Sequence, residues 1–397
     1  MIFQSLDDKS KCVGVYTNGT LHFDNLPNNL TKTWKYTGSL KDKEVEYAWI
    51  YADGQSLDEV CPEEIKDEWE RLQRKMRAYK RSFDIGKIDF REHCFFDLVP
   101  HDFLVEFCET RNQITEHVFD TVPRPDHYGH LEKIDKLLYK IKYQNLKIST
   151  TNAKVLLANS TTRYLAQRLL QGPKYINYNL FGTATGRLAT YSNSFPMLTL
   201  RRDLRKLIKP HNDWFLSLDY NGAEVRTLMG LLDEEQPQKD IHNWNIRNIF
   251  KRPHMSRDEA KTLFFGWLYN EHSTVVKEKD TCYDREKALK MYYKDGYIHT
   301  IFGRHIEVDH YRALNYLLQS TTADLVLDRA VAIDEVLDGR DSFISHIVHD
   351  EIIIDFCDKD RDLVHEIRDL FAENKLGKFM VNLKAGQDYQ DLETISI

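Results

Sequence analysis

The residues best suited to chemistry fall in three groups. Trp214-Phe215-Leu216-Ser217-Leu218-Asp219-Tyr220 is an apolar run that delivers a carboxylate near its end, and from Gly222 onward the apolar residues (Ala223, Val225, Leu228, Met229, Leu231, Leu232) adopt helical spacing. Asp219 therefore belongs at a strand-to-helix junction. Far downstream, two β-prone runs, Phe343 to Val348 and Ile352 to Phe356, flank His349-Asp350-Glu351, so a tight hairpin carries two acids and an imidazole at its tip. Carboxylates brought in by separate elements can hold two divalent cations roughly 3.5 to 4 Å apart, the arrangement that serves phosphoryl transfer. Hard oxygen donors favour Mg²⁺ over zinc. Between these groups, Arg257, Lys261, Phe265 and Leu268 or Tyr269 recur at helical spacing, which puts two cations and an aromatic edge on one helix face. Such a stripe can grip a triphosphate while its rings stack on a base.

The elements that must position these residues are legible in outline. Residues 1 to about 60 hold short apolar and β-branched runs, Cys12 to Tyr16 and Val45 to Tyr51, between Gly, Asn and Pro turns, which predicts a small β-rich unit. From Cys61 to Arg91 the pattern is helical, opened by Pro62 and a first turn of acids and rich in Lys and Arg afterwards. Amphipathic helices follow from Asp126 to Gln171, with Leu131, Ile134, Leu137, Leu138 and Ile141 on one face, and stop at Gly172-Pro173. The stretch Thr183 to Thr190 breaks regular structure.

Composition sets the frame. The chain has 397 residues, 42% of them hydrophobic and 29% charged, which excludes disorder as the main state. No run approaches the roughly 20 apolar residues of a membrane span, and Met1 to Asp8 lacks the features of a secretion signal. The six cysteines are scattered without a C-x-x-C pair, so a cytoplasmic location is expected and no membrane partner. A net charge of -7 speaks against a nucleic-acid partner only until it is resolved along the chain. Leu131 to Lys209 carries fifteen Lys and Arg against three acids, an excess of +12 that leaves -19 for the remainder. A basic band of this kind suits a polyanion, because counterion release depends on local charge.

Taken together, these residues resemble the family A DNA polymerases, the class of bacterial polymerase I and, most like this chain, the replicative polymerases of podophages. Three motifs stand in the family's order: Asp219-Tyr220-Asn221-Gly222-Ala223-Glu224-Val225-Arg226, Arg257 to Tyr269, and His349-Asp350-Glu351. Thr185-Gly186-Arg187-Leu188, Asp240-Ile241-His242, Gly296-Tyr297 with Gly303-Arg304, and Ala313 to Ser320 add support. The resemblance runs from about Leu131 to the C-terminus. It implies an α+β right-hand polymerase: an antiparallel-sheet palm (about 175–232 and 297–397), a helical thumb (about 101–174) and helical fingers (about 233–296), behind an N-terminal α+β region (1–100) of unreadable role.

The resemblance also implies roles. Asp219 and Asp350 would bind two Mg²⁺ ions with the backbone carbonyl of Tyr220, and Glu351 would support them near the primer end. Arg257, Lys261 and His242 would hold the incoming deoxynucleoside triphosphate, Lys261 also giving a proton to the leaving pyrophosphate. Phe265 would pack near the sugar and Tyr269 near the nascent base pair, while Glu224 crowds the sugar 2′ position. Phe rather than Tyr at 265 implies discrimination against dideoxynucleotides. Arg187, Asn315, Gln319 and His349 would touch primer-template DNA, where minor-groove acceptors are nearly the same for every correct pair. Departures from the pattern are Asn221-Gly222-Ala223 for the usual Ser-Gln-Ile, which implies altered primer-template contacts, and Asn270 for Gly with a short segment from Asn270 to Gly296, which predict reduced fingers. No acid pattern of a proofreading domain is seen, so no 3′-5′ exonuclease is expected. The expected activity is primer extension in phage or plasmid replication. The alternatives are a single-subunit RNA polymerase or primase-like enzyme, against which Glu224 and Glu351 argue, and a catalytically silent DNA-binding replisome protein.

Overall fold

The computed structural model describes residues 1–397 except 9–10, 24–26, 271, 277–281 and 396–397. The chain divides into two compact units, Met1–Lys140 and Ile141–Ile397. Among the described residues no helix is long and apolar enough to cross a membrane.

In the first unit, β1 (Gln4–Asp8), β2 (Lys11–Thr17) and β3 (Thr20–His22) form an antiparallel meander. The β2–β3 turn is Asn18-Gly19, both at positive φ, the pairing that matches the twist of a two-residue hairpin. Helices α1 (Glu63–Ile85) and α2 (His101–Thr121) pack through aromatic rings: Trp69 lies 5.3 Å from Phe107 and Tyr79 5.2 Å from Phe103, centroid to centroid. Leu72, Val99, Phe103 and Leu104 are the buried centre of this cluster. The run Val45 to Tyr51 corrects the strand reading: only Glu46–Tyr47 is extended, and Ala48–Tyr51 is a helical turn. All of its residues but Glu46 are buried, so no alternation marks a face, and a short apolar run of this sort fits either backbone. Helix α3 (Tyr128–Lys142) buries Leu131, Ile134, Leu137, Leu138 and Ile141, the face that its periodicity predicts.

The second unit starts with helices α4 (Thr150–Ala158) and α5 (Arg163–Gln171), the latter ending at Gly172. It is organised around a five-stranded antiparallel sheet. Its central strand is β4 (Trp214–Tyr220), followed along the chain by helices α6 (Ala223–Leu231), α7 (Ile241–Asn245), α8 (Arg257–Leu268), α9 (Arg285–Tyr292) and α10 (His310–Val336). Strands β5 (Phe343–Val348) and β6 (Glu351–Phe356), helix α11 (Val364–Ala372), and strands β7 (Val381–Gly386) and β8 (Glu393–Thr394) complete it. The order across the sheet is β5-β6-β4-β7-β8. Ile352, Ile353 and Ile354 are fully buried, so β6 is covered on both faces, at about 1.5–3 kcal/mol for each side chain removed from water. Helix α10 packs with α6 and α11 on this sheet.

A buried ion pair ties the segment between α9 and α10 to this core. Arg304 donates to both oxygens of Asp324 on α10, at 2.6 and 2.9 Å. Gly186, at φ 72°, lies against the same guanidinium, and a Cβ there would fall 2.5 Å from its central carbon. Both the dihedral and the close approach favour glycine at this turn.

Candidate active site

Asp219 sits one residue from the end of β4 with a neighbour on each side: Glu351 of β6 and Asn382 of β7 are its Cα partners. The chain then turns sharply through Gly222, at φ 72°, which caps α6. A Cβ on Gly222 would stand 2.4 Å from Ile241 Cγ2, so this turn needs glycine twice over, for its dihedral and for its space. Asp350 arrives on the two-residue β5–β6 turn, where Val348 pairs with Glu351 and His349 takes φ 57°. A left-handed non-glycine residue costs about 1 kcal/mol, a strain that the flanking buried strands hold in place.

These elements converge on one cavity of about 430 Å³. Ten of the fourteen residues singled out in the sequence line it: Asp219, Tyr220, Asp350, His349, Arg187, Glu224, His242, Arg257, Lys261 and Phe265. Asp219 and Asp350 come from β4 and the hairpin tip and Arg257 and Lys261 from α8, while Glu224 of α6 and Arg187 pair with each other. On α8 the buried residues Ala260, Phe264, Trp267 and Leu268 face the core, which leaves Arg257, Lys261 and Phe265 on the cavity side. Ser256 caps the helix by accepting from Glu259 N at 3.2 Å.

The other four stand outside the cavity. Glu351 is turned to Ser217 and Tyr389, whose hydroxyls donate to it at 2.6 and 3.2 Å. Tyr269 stacks on Phe265 at 6.1 Å and donates to Glu224 Oε2, while Arg187 donates to Glu224 Oε1 at 2.5 Å. Asn315 and Gln319 lie one turn apart on α10 and hydrogen-bond each other.

Electrostatics mark three side chains. Burial pushes the Asp219 carboxyl up to about 6; the hydrogen bond from Asn382 opposes this, and the charges of Asp350 and Glu351 add to it. His242 falls to about 4, chiefly by burial and then through Arg257, so its ring is neutral at pH 7. Its Nδ1 is buried without a hydrogen-bond partner among the described residues. For Asp240, burial favours the neutral acid, but donation from Arg257, Asn221 and Asn243 N outweighs it and brings the carboxyl down to about 2.

Asp240 belongs to a network the sequence reading did not assign. Asn221 Nδ2 and Arg257 Nε both donate to Asp240 Oδ2, at 2.8 and 3.0 Å, and Asn221 Oδ1 accepts from Ile241 N at 2.8 Å. Buried Arg226 closes it by donating to the carbonyls of Asn221, Pro237 and Lys239. Asn221 thus ties the end of β4 to the segment that carries His242. Its departure from the family pattern was the only sequence signal. Asn382, which donates to Asp219 Oδ2 at 3.0 Å from 163 residues away, gave none.

The donor set suits a hard cation. Among the described residues no three His, Cys, Asp or Glu side chains are grouped to hold a metal ion. Mg²⁺ needs only one or two carboxylates together with substrate oxygens, and Asp219 and Asp350 offer that beside a cationic wall.

No protein-family model matches the sequence, and no curated protein matches it either. Among solved structures, the chain is similar to the polymerase domain of Pol1 from M. smegmatis, solved in complex with DNA primer-template and dNTP. The TM-score is 0.58 at 14% identity, over 73% of this chain and 76% of that one. The chain therefore has the fold of a DNA polymerase domain.

Proposed function

We propose that this chain is a DNA-directed DNA polymerase of family A type, extending a primer 3′-hydroxyl with deoxynucleoside triphosphates. One observation carries the reading: two aspartates on adjacent strand ends face Arg257, Lys261 and neutral His242 across a single cavity. That is the charge layout a cation-bound triphosphate needs. The sheet-bearing part around β4 to β8 would be the palm, α7 to α9 the fingers and 101–174 the thumb, with residues 1–100 outside this scheme and no 3′-5′ exonuclease.

Asp219, Asp350 and the Tyr220 carbonyl would hold two Mg²⁺ ions. When bound, such ions activate the attacking hydroxyl and neutralise charge on the transferring phosphoryl group. The protein's own groups do the rest. Arg257 binds phosphate oxygens as a fork, and His242, being neutral, offers one N–H. Lys261 gives a proton to the leaving pyrophosphate. Glu224, braced by Arg187 and Tyr269, fills the space a ribose 2′-hydroxyl would need. Arg187, His349, Asn315 and Gln319 contact primer-template, and Glu351, held by the hydroxyls of Ser217 and Tyr389, is a supporting carboxylate near the primer end. The context is phage or plasmid replication.

Extension of a labelled primer on a defined template with Mg²⁺ tests this. Wild type extends; Asp219→Asn and Asp350→Asn do not. Failure of the wild type, or full extension by either variant, refutes the reading. Unprimed incorporation of ribonucleotides would replace it with an RNA polymerase.

A further inference from the structure

The C-terminal half of α1 is a second strongly charged surface, in the first unit and outside everything assigned above. From Arg71 to Lys87 there are seven Lys and Arg and one acid, Asp84, in a chain whose total is -7. Part of this excess is answered internally: Arg71 pairs with Glu68 and Glu106, Arg77 donates to Gln73, and Lys75 lies over the Phe103 ring. Arg74, Lys80 and Arg81 are exposed and make no hydrogen bond or ion pair among the described residues. Arg74, Arg77 and Arg81 stand at i, i+3 and i+7, on one face of the helix. A favourable helix dipole accounts for cations in the last turn only, where its effect fades within about one turn.

We propose that this face is a binding surface for the phosphate backbone of nucleic acid. Three arginines over seven residues span about 10.5 Å of helix, close to the length of about three phosphates along one strand. Arginine suits phosphate because its planar fork can bind two oxygens at once. An anionic membrane would also attract the charge, but a surface helix must offer an apolar face to lipid. Here that face is spent: Trp69, Leu72, Met76, Tyr79 and Phe83 pack against α2 and the segment before it. The choice of duplex DNA as the polyanion rests on the polymerase reading; the surface itself does not.

The test is binding of the full chain to a labelled primer-template by fluorescence anisotropy, in EDTA without nucleotides, across a salt series. Arg74→Ala/Arg77→Ala/Arg81→Ala should weaken binding at least tenfold near 0.1 M salt and flatten the log–log salt slope by about 2 to 3, at about 0.9 per phosphate contact. The matching triple Lys variant should keep most of the slope. Far-UV circular dichroism should be unchanged, since all three residues are exposed. An alanine variant with wild-type affinity and slope overturns the proposal, as does wild type that binds phosphatidylserine vesicles and not the duplex. Wild type that binds with the expected slope and extends no primer removes the polymerase reading and leaves this surface standing.

Discussion

Replacing Asp219 with Asn should make the protein more stable while abolishing its activity. Burial holds the Asp219 carboxyl near 6, against 3.8 for an ordinary aspartate. The rise from 3.8 to about 6 corresponds to about 3 kcal/mol, less what solvent at the cavity mouth screens away. The sign follows from where the proton binds. Folding raises this pKa, so the folded state holds the proton more tightly. Stability contributed by the protonated carboxyl is complete below pH 4 and is lost as the pH rises through 6. Asn is neutral throughout and can still meet Asn382. In urea denaturation with EDTA, Asp219→Asn should therefore exceed wild type by at most about 3 kcal/mol at pH 7.5, by about half as much at pH 5, and by little at pH 4. Mg²⁺ should restore stability to wild type and not to the variant. Equal midpoints at pH 7.5, or an increment that does not shrink with acid, would refute the argument that this carboxylate is held at the expense of the fold.

Three further outcomes follow from the geometry. Arg257→Ala should raise the nucleotide KM at least tenfold in single-nucleotide extension, with kcat changed less, since a charged fork to phosphate contributes about 1.5–3 kcal/mol. Asn221→Ala leaves the buried Ile241 N–H without its acceptor and should lower the urea midpoint by the equivalent of about 2 kcal/mol; an unchanged midpoint would mean that the Asn221 network adds nothing. Gly222→Ala should destabilise by more than about 1 kcal/mol, given its φ of 72° and the approach of Ile241, whereas Gly266→Ala in α8, where a Cβ meets nothing within 4 Å, should stabilise by about 0.5–1 kcal/mol. Thermal melts of the two glycine variants side by side decide this.

Sequence legibility tracked how local each determinant is. The strand before Asp219, the hairpin around His349-Asp350 and the α8 stripe are written in consecutive residues, and each forms as its spacing predicts. The charge band could be read because it is a sum over neighbours. Asn382 could not be found, because its role depends on the register of β7 against β4, which no short window contains. Glu351 shows the converse: adjacency to Asp350 suggested a shared site, but its side chain, on the same sheet face as its cross-strand partner Asp219, is taken by the hydroxyls of Ser217 and Tyr389. Asp240 stood in a quoted motif, yet its bonds to Asn221 and Arg257 appear only once three segments meet.

The setting of Asp219 on the middle strand has a kinetic consequence. Strands flank β4 on both sides, so its amides can exchange with solvent only when the sheet itself comes apart. Asp219 thus stays in place for as long as the unit stays folded, and the cations of α8 are tied to the same strand end through Arg257, Asp240 and Asn221.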